Sequence, residues 1–291
     1  MSDSLIHTLA KDAFPNLLTE IADPPKKLYL KGTFPPDDHK YLCVVGSRRY
    51  SRYGKEVCER LIAGLSGYPI VIVSGLALGI DSIAHSAALK ANLPTIAVPA
   101  SGLSEQILYP RSHIGLSREI INNGGTLLSE FEPDFKATLW SFPQRNRIMA
   151  GMSHAVLIIE AHERSGTLIT ARLAMEYNRD VLVAPGPLYT EYARGSNRLL
   201  REGAQAITGS EDILEALKIP VIRKEKILEA ELQNLSPAER QIIEVLSEPR
   251  SRDELFSLLE MSITQINITL SLMEVKGLIR ERLGQIERAV D

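Results

Sequence analysis

The sequence holds few cysteines, few aromatic residues and little net charge. Cys43 and Cys58 are its only cysteines, which excludes a disulfide framework and a multi-cysteine zinc site. Both lie in apolar or helical patterns and are predicted to be reduced and structural. The net charge is −3, from 33 basic and 36 acidic residues, and this excludes a protein that is basic throughout. A local cationic groove remains compatible with that balance.

Long hydrophobic runs are also missing. The sequence has no stretch of about 18 apolar residues, the length needed to span a bilayer, so no membrane span is predicted. The N-terminus, MSDSLIHTLAKDAF, lacks a basic segment followed by a long apolar stretch, and no signal peptide is predicted. We therefore expect a cytoplasmic protein.

The composition is that of a globular protein. The 291 residues are 44% hydrophobic and 24% charged, enough for one large domain and a smaller one, or for two domains. Charge is unevenly distributed. Residues 40–150 carry 12 basic and 8 acidic side chains, whereas the rest of the chain has an acidic excess. The asymmetry indicates either an anionic partner for that stretch or an ordinary solvated surface.

Short apolar runs alternate with helical patterns from Tyr41 onward. The runs are nearly continuous rather than alternating, which is typical of a parallel sheet covered by helices on both faces. Residues 41–217 are therefore predicted to form one doubly wound α/β domain. The runs are YLCVVG (41–46), IVIVSG (70–75), TIAVPA (95–100), TLLSE (126–130), AVLIIE (155–160), VLVAPG (181–186) and AQAI (204–207).

The flanking regions have different patterns. Residues 1–40 predict a short helix followed by an extended lead-in. Residues 218–234 are charged and lack a core pattern, so they are interpreted as a linker. Residues 235–291 predict three helices and a β-hairpin around Gly284, which together suggest a small winged-helix domain. The first of those helices should begin at Ser236, a residue suited to an N-cap before Pro237.

Four loops rich in glycine, serine or arginine follow the predicted strands. Ligands of open α/β sheets bind beyond the carboxyl ends of the strands, and helix N-termini there attract anions. The loops predict a polyanion or nucleotide site, although they match neither G-x-G-x-x-G nor the P-loop, which disfavours a free-standing dinucleotide or ATP site. They are Gly46-Ser47-Arg48-Arg49, the 74–81 loop with Gly79, Ser165-Gly166-Thr167 and Gly195-Ser196-Asn197.

Residues 127–151 concentrate aromatic side chains beside arginines. The stretch contains half of the phenylalanines and the only tryptophan of the chain. Phe142 is followed closely by Arg145, Asn146 and Arg147. Aromatic rings beside cations suit single-stranded nucleic acid, because bases stack on the rings while the cations hold phosphate. The alternative is a packed loop whose rings fill the core and whose arginines form salt bridges.

Catalytic and metal-binding patterns are poor. The six histidines show no H-x-x-x-H spacing, and no G-x-S-x-G motif occurs. His85 and His154 are interpreted as core groups, and Asp81 as a helix N-cap. No catalytic group, metal or cofactor is predicted from the residues.

Five segments together resemble the DprA/Smf family of DNA-processing proteins. Their order and spacing fit over residues 20–217, and a weaker match extends over the C-terminal region. The segments are VVGSRRYSRYG (44–54), IVSGLALGIDSIAH (72–85), FPQRNRIMAGMSHAVLIIEA (142–161), RSGTLITARLA (164–174) and APG…GSNRLLREGA (184–204).

The resemblance implies an extended Rossmann-like domain that binds single-stranded DNA and forms a homodimer. It also implies a partner, the RecA recombinase, which the protein would load onto DNA during natural transformation, a role that is not enzymatic. Together the loops and the resemblance predict the DNA-binding residues Gly46, Ser47, Arg48, Arg49, Gly79, Phe142, Arg145, Asn146, Arg147, Ser165, Gly166, Thr167 and Asn197.

The sequence departs from the family pattern at several positions. Leu78 stands where many members have arginine, and Leu139 and Trp140 stand where some carry a lysine before the phenylalanine. The N-terminal extension is shortened to about 40 residues. The substitutions remove possible phosphate contacts. A partner role of the N-terminal extension in other members is not carried over to this chain.

Two other functions match the sequence less well. Related Rossmann-like enzymes of the nucleoside monophosphate phosphoribohydrolase class carry P-G-G-x-G-T and a nearby glutamate, and Ala184-Pro185-Gly186-Pro187 breaks that motif. A winged-helix transcription factor is the weaker reading, because ITQINITLSLMEVKG (263–277) holds no arginine. The C-terminal domain is expected to bind protein or to serve packing, while Arg280, Arg282 and Arg288 leave a wing contact open.

Overall fold

The computed structural model describes residues 5–36, 38–221, 235–276, 278–282 and 284–288. The chain divides into two compact units between Pro220 and Val221. Among the helices of these residues, none is long and apolar enough to cross a membrane.

The first unit is built on a nine-stranded sheet with the order β1-β2-β6-β5-β4-β3-β7-β8-β9. The strands from β6 to β9 in that order are parallel, while β1 and β2 join one edge in antiparallel fashion. The strands are β1 (His7–Leu9), β2 (Leu28–Gly32), β3 (Lys40–Val45), β4 (Ile70–Ser74), β5 (Thr95–Ala97), β6 (Thr126–Ser129), β7 (Ala155–Ile158), β8 (Asp180–Val183) and β9 (Gln205–Ala206).

Helices cover both faces of this sheet. One core lies between the sheet and α1, α5, α6 and α7, and the other lies between the sheet and α2, α3 and α8. The mostly parallel, doubly wound fold predicted from the sequence is thereby confirmed. The helices are α1 (Asn16–Thr19), α2 (Arg52–Ala63), α3 (Ile80–Lys90), α4 (Ile114–Asn122), α5 (Ser141–Met152), α6 (Thr167–Glu176), α7 (Arg194–Arg201) and α8 (Ser210–Ala216).

The continuous apolar strands follow from this double covering. Along β3, Leu42 and Val44 face one core while Cys43 and Val45 face the other. Each fully buried side chain of this size contributes about 1.5–3 kcal/mol relative to an exposed one. A polar residue at any of these strand positions would meet a helix rather than water.

The N-terminal segment, predicted as a short helix followed by an extended lead-in, contributes strands β1 and β2 to the sheet. Leu28 and Leu30 of β2 pack in one core and Tyr29 in another, so the strand is held on both faces. At the other end, Ile219 packs in the core of the first unit, which thus extends beyond residue 217. Of the predicted linker, 218–234, residues 222–234 lie outside the described residues.

Strand order reverses between β3 and β7. From β3 the chain builds β4, β5 and β6 on one side, and from β7 it builds β8 and β9 on the other. The loops that leave β3 and β7 therefore diverge to opposite faces of the sheet. This divergence opens a crevice beyond their carboxyl ends, the usual ligand position in such sheets.

The second unit holds three helices and a small antiparallel sheet within the described residues. They are α9 (Pro237–Val245), α10 (Arg252–Leu258) and α11 (Ile263–Val275), with β10 (Arg250–Ser251), β11 (Ile279–Arg282) and β12 (Gln285–Arg288) in the order β10-β12-β11. The serines at 236, 251 and 262 cap the three helices through capping boxes, which satisfies their first N–H groups. The winged-helix assignment stays a prediction.

Candidate nucleic-acid interface

A crevice of about 530 Å³ lies where the strand order reverses. Its walls come from the loops after β3 and β7 and from the start of α5. Most of the predicted DNA-binding residues meet there, although they come from three separate segments of the chain. Those that line the crevice are Gly46, Ser47, Arg48, Arg49, Phe142, Arg145, Asn146, Ser165, Gly166 and Thr167.

The loop after β3 turns tightly around Ser47. The buried Ser47 hydroxyl donates to the carbonyl of Arg49 and accepts from its N–H at 3.1 Å. This turn leaves the side chains of Arg48 and Arg49 exposed. Neither arginine forms a salt bridge with another part of the described chain, so both guanidinium groups can meet an anion.

Gly79 supports this loop from below. A Cβ at Gly79 would lie 2.3 Å from the Ser47 carbonyl oxygen. The φ of Gly79 is +89°, a backbone conformation that favours glycine. The close approach lets the N–H of Ile80 donate to that same oxygen at 3.2 Å. Gly79 therefore shapes the crevice without lining it.

Phe142 lies at the start of α5 and is half-buried. The Arg48 guanidinium stands over its ring at 4.8 Å from the centroid, a cation–π contact. The Tyr109 ring meets it edge-on, with centroids 5.8 Å apart. Phe142 is therefore positioned by its neighbours while part of the ring faces the crevice.

Arg145 forms the floor of the crevice and is only 5% exposed. Its guanidinium donates to the carbonyl of Gly75 and, at 2.5 Å, to that of Val98, while Nε donates to Asn146 Oδ1 at 3.0 Å. These carbonyls belong to the residues after β4 and β5. Arg145 thus joins α5 to the carboxyl ends of two strands, and little of it is available to a ligand.

The carboxylate of Asp81 lies beside Arg145. Burial raises the pKa of Asp81, and Arg145 together with the N–H groups of Ala77 and Gly75 acts in the opposite direction. The expected N-cap role is wrong, because Gly79 is the N-cap of α3. The Asp81 side chain instead binds the loop that precedes the helix.

Arg147 and Asn197 do not line the crevice. Arg147 is buried on another side of α5, where it donates to the Glu130 carboxylate and, at 2.6 Å, to the Asp23 carbonyl. Asn197 binds both backbone groups of Gly186, at 3.1 and 3.0 Å. The alternative reading of salt-bridged arginines therefore describes Arg147, and Asn197 fixes the start of the 186–193 loop.

The turn before α6 forms the opposite wall. Ser165 Oγ accepts from the N–H of Thr167 at 3.2 Å and donates to its hydroxyl at 2.9 Å. Gly166 is exposed beside them. The first turn of α6 thus faces the crevice, where its N–H groups suit anion binding.

Several lining residues were missed from the sequence. Arg164 adds an exposed cation next to the Ser165 turn, and Leu139, His162 and Ile169 add apolar or aromatic surface. Arg164 could have been found, because it directly precedes the serine and glycine of a predicted anion-binding turn. His162 carried no such pattern.

Glu160 is buried below the crevice and is already bound. Its carboxylate accepts from the N–H of Ser51 at 2.9 Å and from its hydroxyl at 2.5 Å. Gly54 makes room for it, since a Cβ there would lie 2.4 Å from the carboxylate. The negative charge therefore lies at the N-terminus of α2, which it stabilises.

Cys43, Cys58 and His85 are buried in the core, whereas His154 is half-buried. Burial raises the pKa of both cysteine thiols. Burial also lowers the pKa of His85 to about 3, and its Nδ1 lies 2.8 Å from the Thr95 hydroxyl. Within the described residues, no three His, Cys, Asp or Glu side chains cluster so as to hold a metal ion.

The family of the chain follows from its sequence over the whole first unit. The family described as DNA recombination-mediator protein A matches residues 5–218. The chain belongs to this family. The match includes every segment of the crevice and ends just before Pro220, so the second unit lies entirely beyond it.

Individual DprA proteins support the assignment. DNA processing protein DprA of Bacillus subtilis is 40% identical over 210 residues, which are 72% of this chain and 70% of that protein. The crystal structure of DprA from Streptococcus pneumoniae superposes with a TM-score of 0.67 at 38% identity, covering 73% of this chain and 75% of that one.

A second DprA structure is described as giving insight into how that protein binds single-stranded DNA. This protein, from Helicobacter pylori, superposes with a TM-score of 0.65 at 34% identity. The alignment covers 73% of this chain and 95% of that one. Both superpositions confirm the α/β Rossmann-like fold of the first unit.

Proposed function

We propose that this DprA-family chain binds single-stranded DNA in the crevice between the loops after β3 and β7. The observation that carries the proposal is the group formed by Arg48, Arg49 and Phe142. Two exposed arginines without salt bridges in the described chain stand beside a ring that is partly open to the same space. Cations hold phosphates while a ring accepts any base.

Duplex DNA suits this site less well. Stacking on Phe142 requires a base whose face is free, and the faces of paired bases are covered by their neighbours. The relative from Helicobacter pylori is described as binding single-stranded DNA, which supports the same ligand here. Little sequence preference is expected, because the backbone loops and the ring do not read base edges.

The finer role is that of a non-enzymatic recombination mediator. We infer that the chain forms a homodimer, protects incoming DNA and loads the RecA recombinase during natural transformation, as its family membership suggests. Neither of the two buried carboxylates at the crevice, Asp81 in its lining and Glu160 outside it, supports a catalytic role. Asp81 and Glu160 are both buried and both already bound by protein groups.

Binding is tested with fluorescent oligonucleotides of one length, single-stranded and duplex, in an anisotropy titration. We expect tighter binding of the single strand and a steep decrease in affinity with salt. Equal affinity for both forms would refute the proposal. A nucleotide hydrolysis assay on the same preparation should give no product, since the enzymatic alternative predicts release of base from a nucleoside monophosphate.

The mediator role needs a separate assay. Assembly of purified RecA on single-stranded DNA should be faster with the chain present, and sedimentation should give the mass of a dimer. Unchanged RecA assembly would restrict the function to DNA binding.

A further inference from the structure

A smaller pocket adjoins the crevice beyond Arg49. Its volume is about 350 Å³, and it is lined by Arg49, His162, Thr190, Glu191 and Tyr192. Arg49 and His162 line both spaces, so the two form one continuous surface. The proposed function uses only the crevice side of Arg49 and gives no role to the loop that carries Tyr192.

The ring of Tyr192 packs against a neighbouring side chain, His162. It is partly exposed, and its centroid lies 5.1 Å from that of His162 with the planes tilted by 53°. His162 Nε2 is buried and has no hydrogen-bond partner in the described residues. The imidazole therefore acts here as packing for the tyrosine, and an aromatic ring held from one side offers its other surface to a base.

The loop that carries Tyr192 is fixed at its start. Asn197 binds both backbone groups of Gly186, and the Tyr53 hydroxyl donates to the Pro185 carbonyl at 2.6 Å. The loop also closes on itself, since a Cβ at Gly186 would lie 2.4 Å from the Cβ of Ala193. Tyr192 is thus held in place before any ligand arrives.

The charges in this pocket separate phosphate from base. Arg49 is exposed at the border of the two spaces and attracts phosphate. Glu191 is exposed inside the pocket, and its carboxylate repels phosphate. A strand that passes over Arg49 would therefore keep its backbone on the arginine and place an uncharged base towards Tyr192.

We propose that this pocket is a second base-stacking subsite for the same DNA strand, with Tyr192 as its ring. The inference rests on the proposed function. Phe142 lines only the crevice and Tyr192 only the smaller pocket, and the Arg48-Arg49 turn connects them. One strand then has a stacking ring at each side of the turn that holds its phosphates.

The test compares oligo-dT strands of increasing length, from about 4 to about 16 nucleotides, a range typical of single-strand sites. Short strands fill one subsite and long strands reach both. Tyr192→Ala should weaken binding of long strands by roughly 5- to 150-fold, the value of one stacked base, and leave the shortest strands unchanged. Phe142→Ala should weaken binding at every length.

Two variants serve as controls. Tyr192→Phe keeps the ring and should bind as the wild type does. Tyr189→Ala removes a ring of the same size from the same loop, and this ring is 96% exposed and lines neither pocket. It should also bind normally, which separates a base contact from a general effect on the loop.

Other outcomes overturn the inference. Wild-type affinity of Tyr192→Ala for long strands would do so, and so would an equal loss at all lengths with a lower melting temperature, which indicates a structural ring. If the wild type binds no oligo-dT of any length, the proposed function fails and the subsite fails with it. If Phe142→Ala alone is impaired, the proposed function holds and only the second subsite is refuted.

Discussion

The four arginines among the predicted DNA-binding residues divide into two that are exposed and two that are buried. Arg48 and Arg49 lie on a loop whose turn is closed by Ser47, and their charges face outward. Arg145 and Arg147 are buried and bind protein groups. Substitutions in the first pair should therefore change DNA affinity, whereas substitutions in the second pair should change folding stability first.

Arg48→Ala should weaken single-strand binding without lowering the melting temperature. The side chain is exposed, so little packing is lost, and the loss of one phosphate contact should lower the salt slope by roughly 0.7. Titration at several salt concentrations measures this slope. Arg60→Ala is the matched control, because Arg60 is an exposed arginine of α2 outside the crevice. Wild-type affinity and slope for Arg48→Ala would show that this arginine contacts no phosphate.

Phe142→Ala should cost about 1–3 kcal/mol of DNA affinity and leave the salt slope nearly unchanged, because no charge is removed. The ring is half-buried, so its loss should destabilise folding by less than the 3–5 kcal/mol typical of a core phenylalanine. Melting temperature and affinity are measured on the same variant. A large fall in melting temperature with unchanged affinity would show that Phe142 is only a packing residue.

The motif suggests that Arg145 contacts DNA, but its buried position predicts that its substitution affects folding stability first. Removing Arg145 leaves the Gly75 and Val98 carbonyls without their donor and takes a positive charge away from the buried Asp81 carboxylate. Each buried group left unsatisfied costs about 1–3 kcal/mol of folding stability. Arg145→Met should therefore melt well below the wild type. Weak DNA binding by this variant would follow from a disturbed floor of the crevice. An unchanged melting temperature would contradict this account.

The cost of Arg145→Met should depend on pH. Burial raises the pKa of Asp81 and Arg145 lowers it, so the variant raises that pKa further. When a carboxyl has a higher pKa in the folded protein than in the unfolded chain, folding stability falls as the pH rises through the folded-state pKa. In acid the carboxyl is protonated in both states, so this loss of stability disappears. The melting-temperature gap should thus be largest near neutrality and narrow in acid. Adding Asp81→Asn to both proteins should remove that pH dependence.

Among the elements, the loop after β3 depends on the close approach of Gly79, at the start of α3, to that loop. At Gly79 a side chain would meet the Ser47 carbonyl and would also need a strained φ of +89°. Gly79→Ala should therefore displace the arginine loop and lower both stability and DNA affinity. Gly67→Ala is the control, because its φ is +82° but open space surrounds it, so it tests backbone strain alone. Equal effects of the two substitutions on DNA affinity would contradict a role for Gly79 in shaping the loop.

The parallel strands could be predicted from the sequence, while the antiparallel edge could not. Strands β3 to β8 are apolar on both faces, and such runs stand out in any sequence. β2 has a buried segment of only three residues, Leu28 to Leu30, between the prolines at 24–25 and 35–36. So short a run between proline pairs resembles an extended lead-in, and its pairing with β1 and β6 in the tertiary structure makes it a strand.

The parts of the site that depend on backbone conformation could be predicted from the sequence. The direction in which each side chain points was harder to predict. Glycine, serine and arginine after buried strands predicted the 46–49 and 165–167 loops of the crevice, but the same pattern also predicted the 195–197 loop, which does not line it. Arg145 and Arg147 stand two residues apart on α5, and such positions point about 200° apart around a helix. Both could not face one crevice, and this geometric argument was available from the motif. Which one lies beside Asp81 required the tertiary structure.

At the scale of the whole molecule, the candidate site belongs to the first unit alone. Residues 1–220 carry 23 basic and 23 acidic side chains, and residues 221–291 carry 10 and 13. A chain that ends at Pro220 retains Ile219 in its core and every residue that lines the crevice and the Tyr192 pocket. It should bind oligo-dT within about twofold of the full chain. A large loss of affinity in the anisotropy titration would assign part of the binding to the second unit.

The floor of the crevice joins the two halves of the sheet. Arg145 reaches from α5 to the ends of β4 and β5, and Glu160 reaches from the end of β7 to the start of α2. The Glu160 link crosses the line at which strand order reverses, where β3 and β7 are also hydrogen-bonded to each other, so these contacts stiffen the crevice. The entropy of fixing these groups is lost when the chain folds and not when DNA arrives. The crevice is therefore pre-organised, and a strand meets a nearly finished surface that only side chains at its rim adjust.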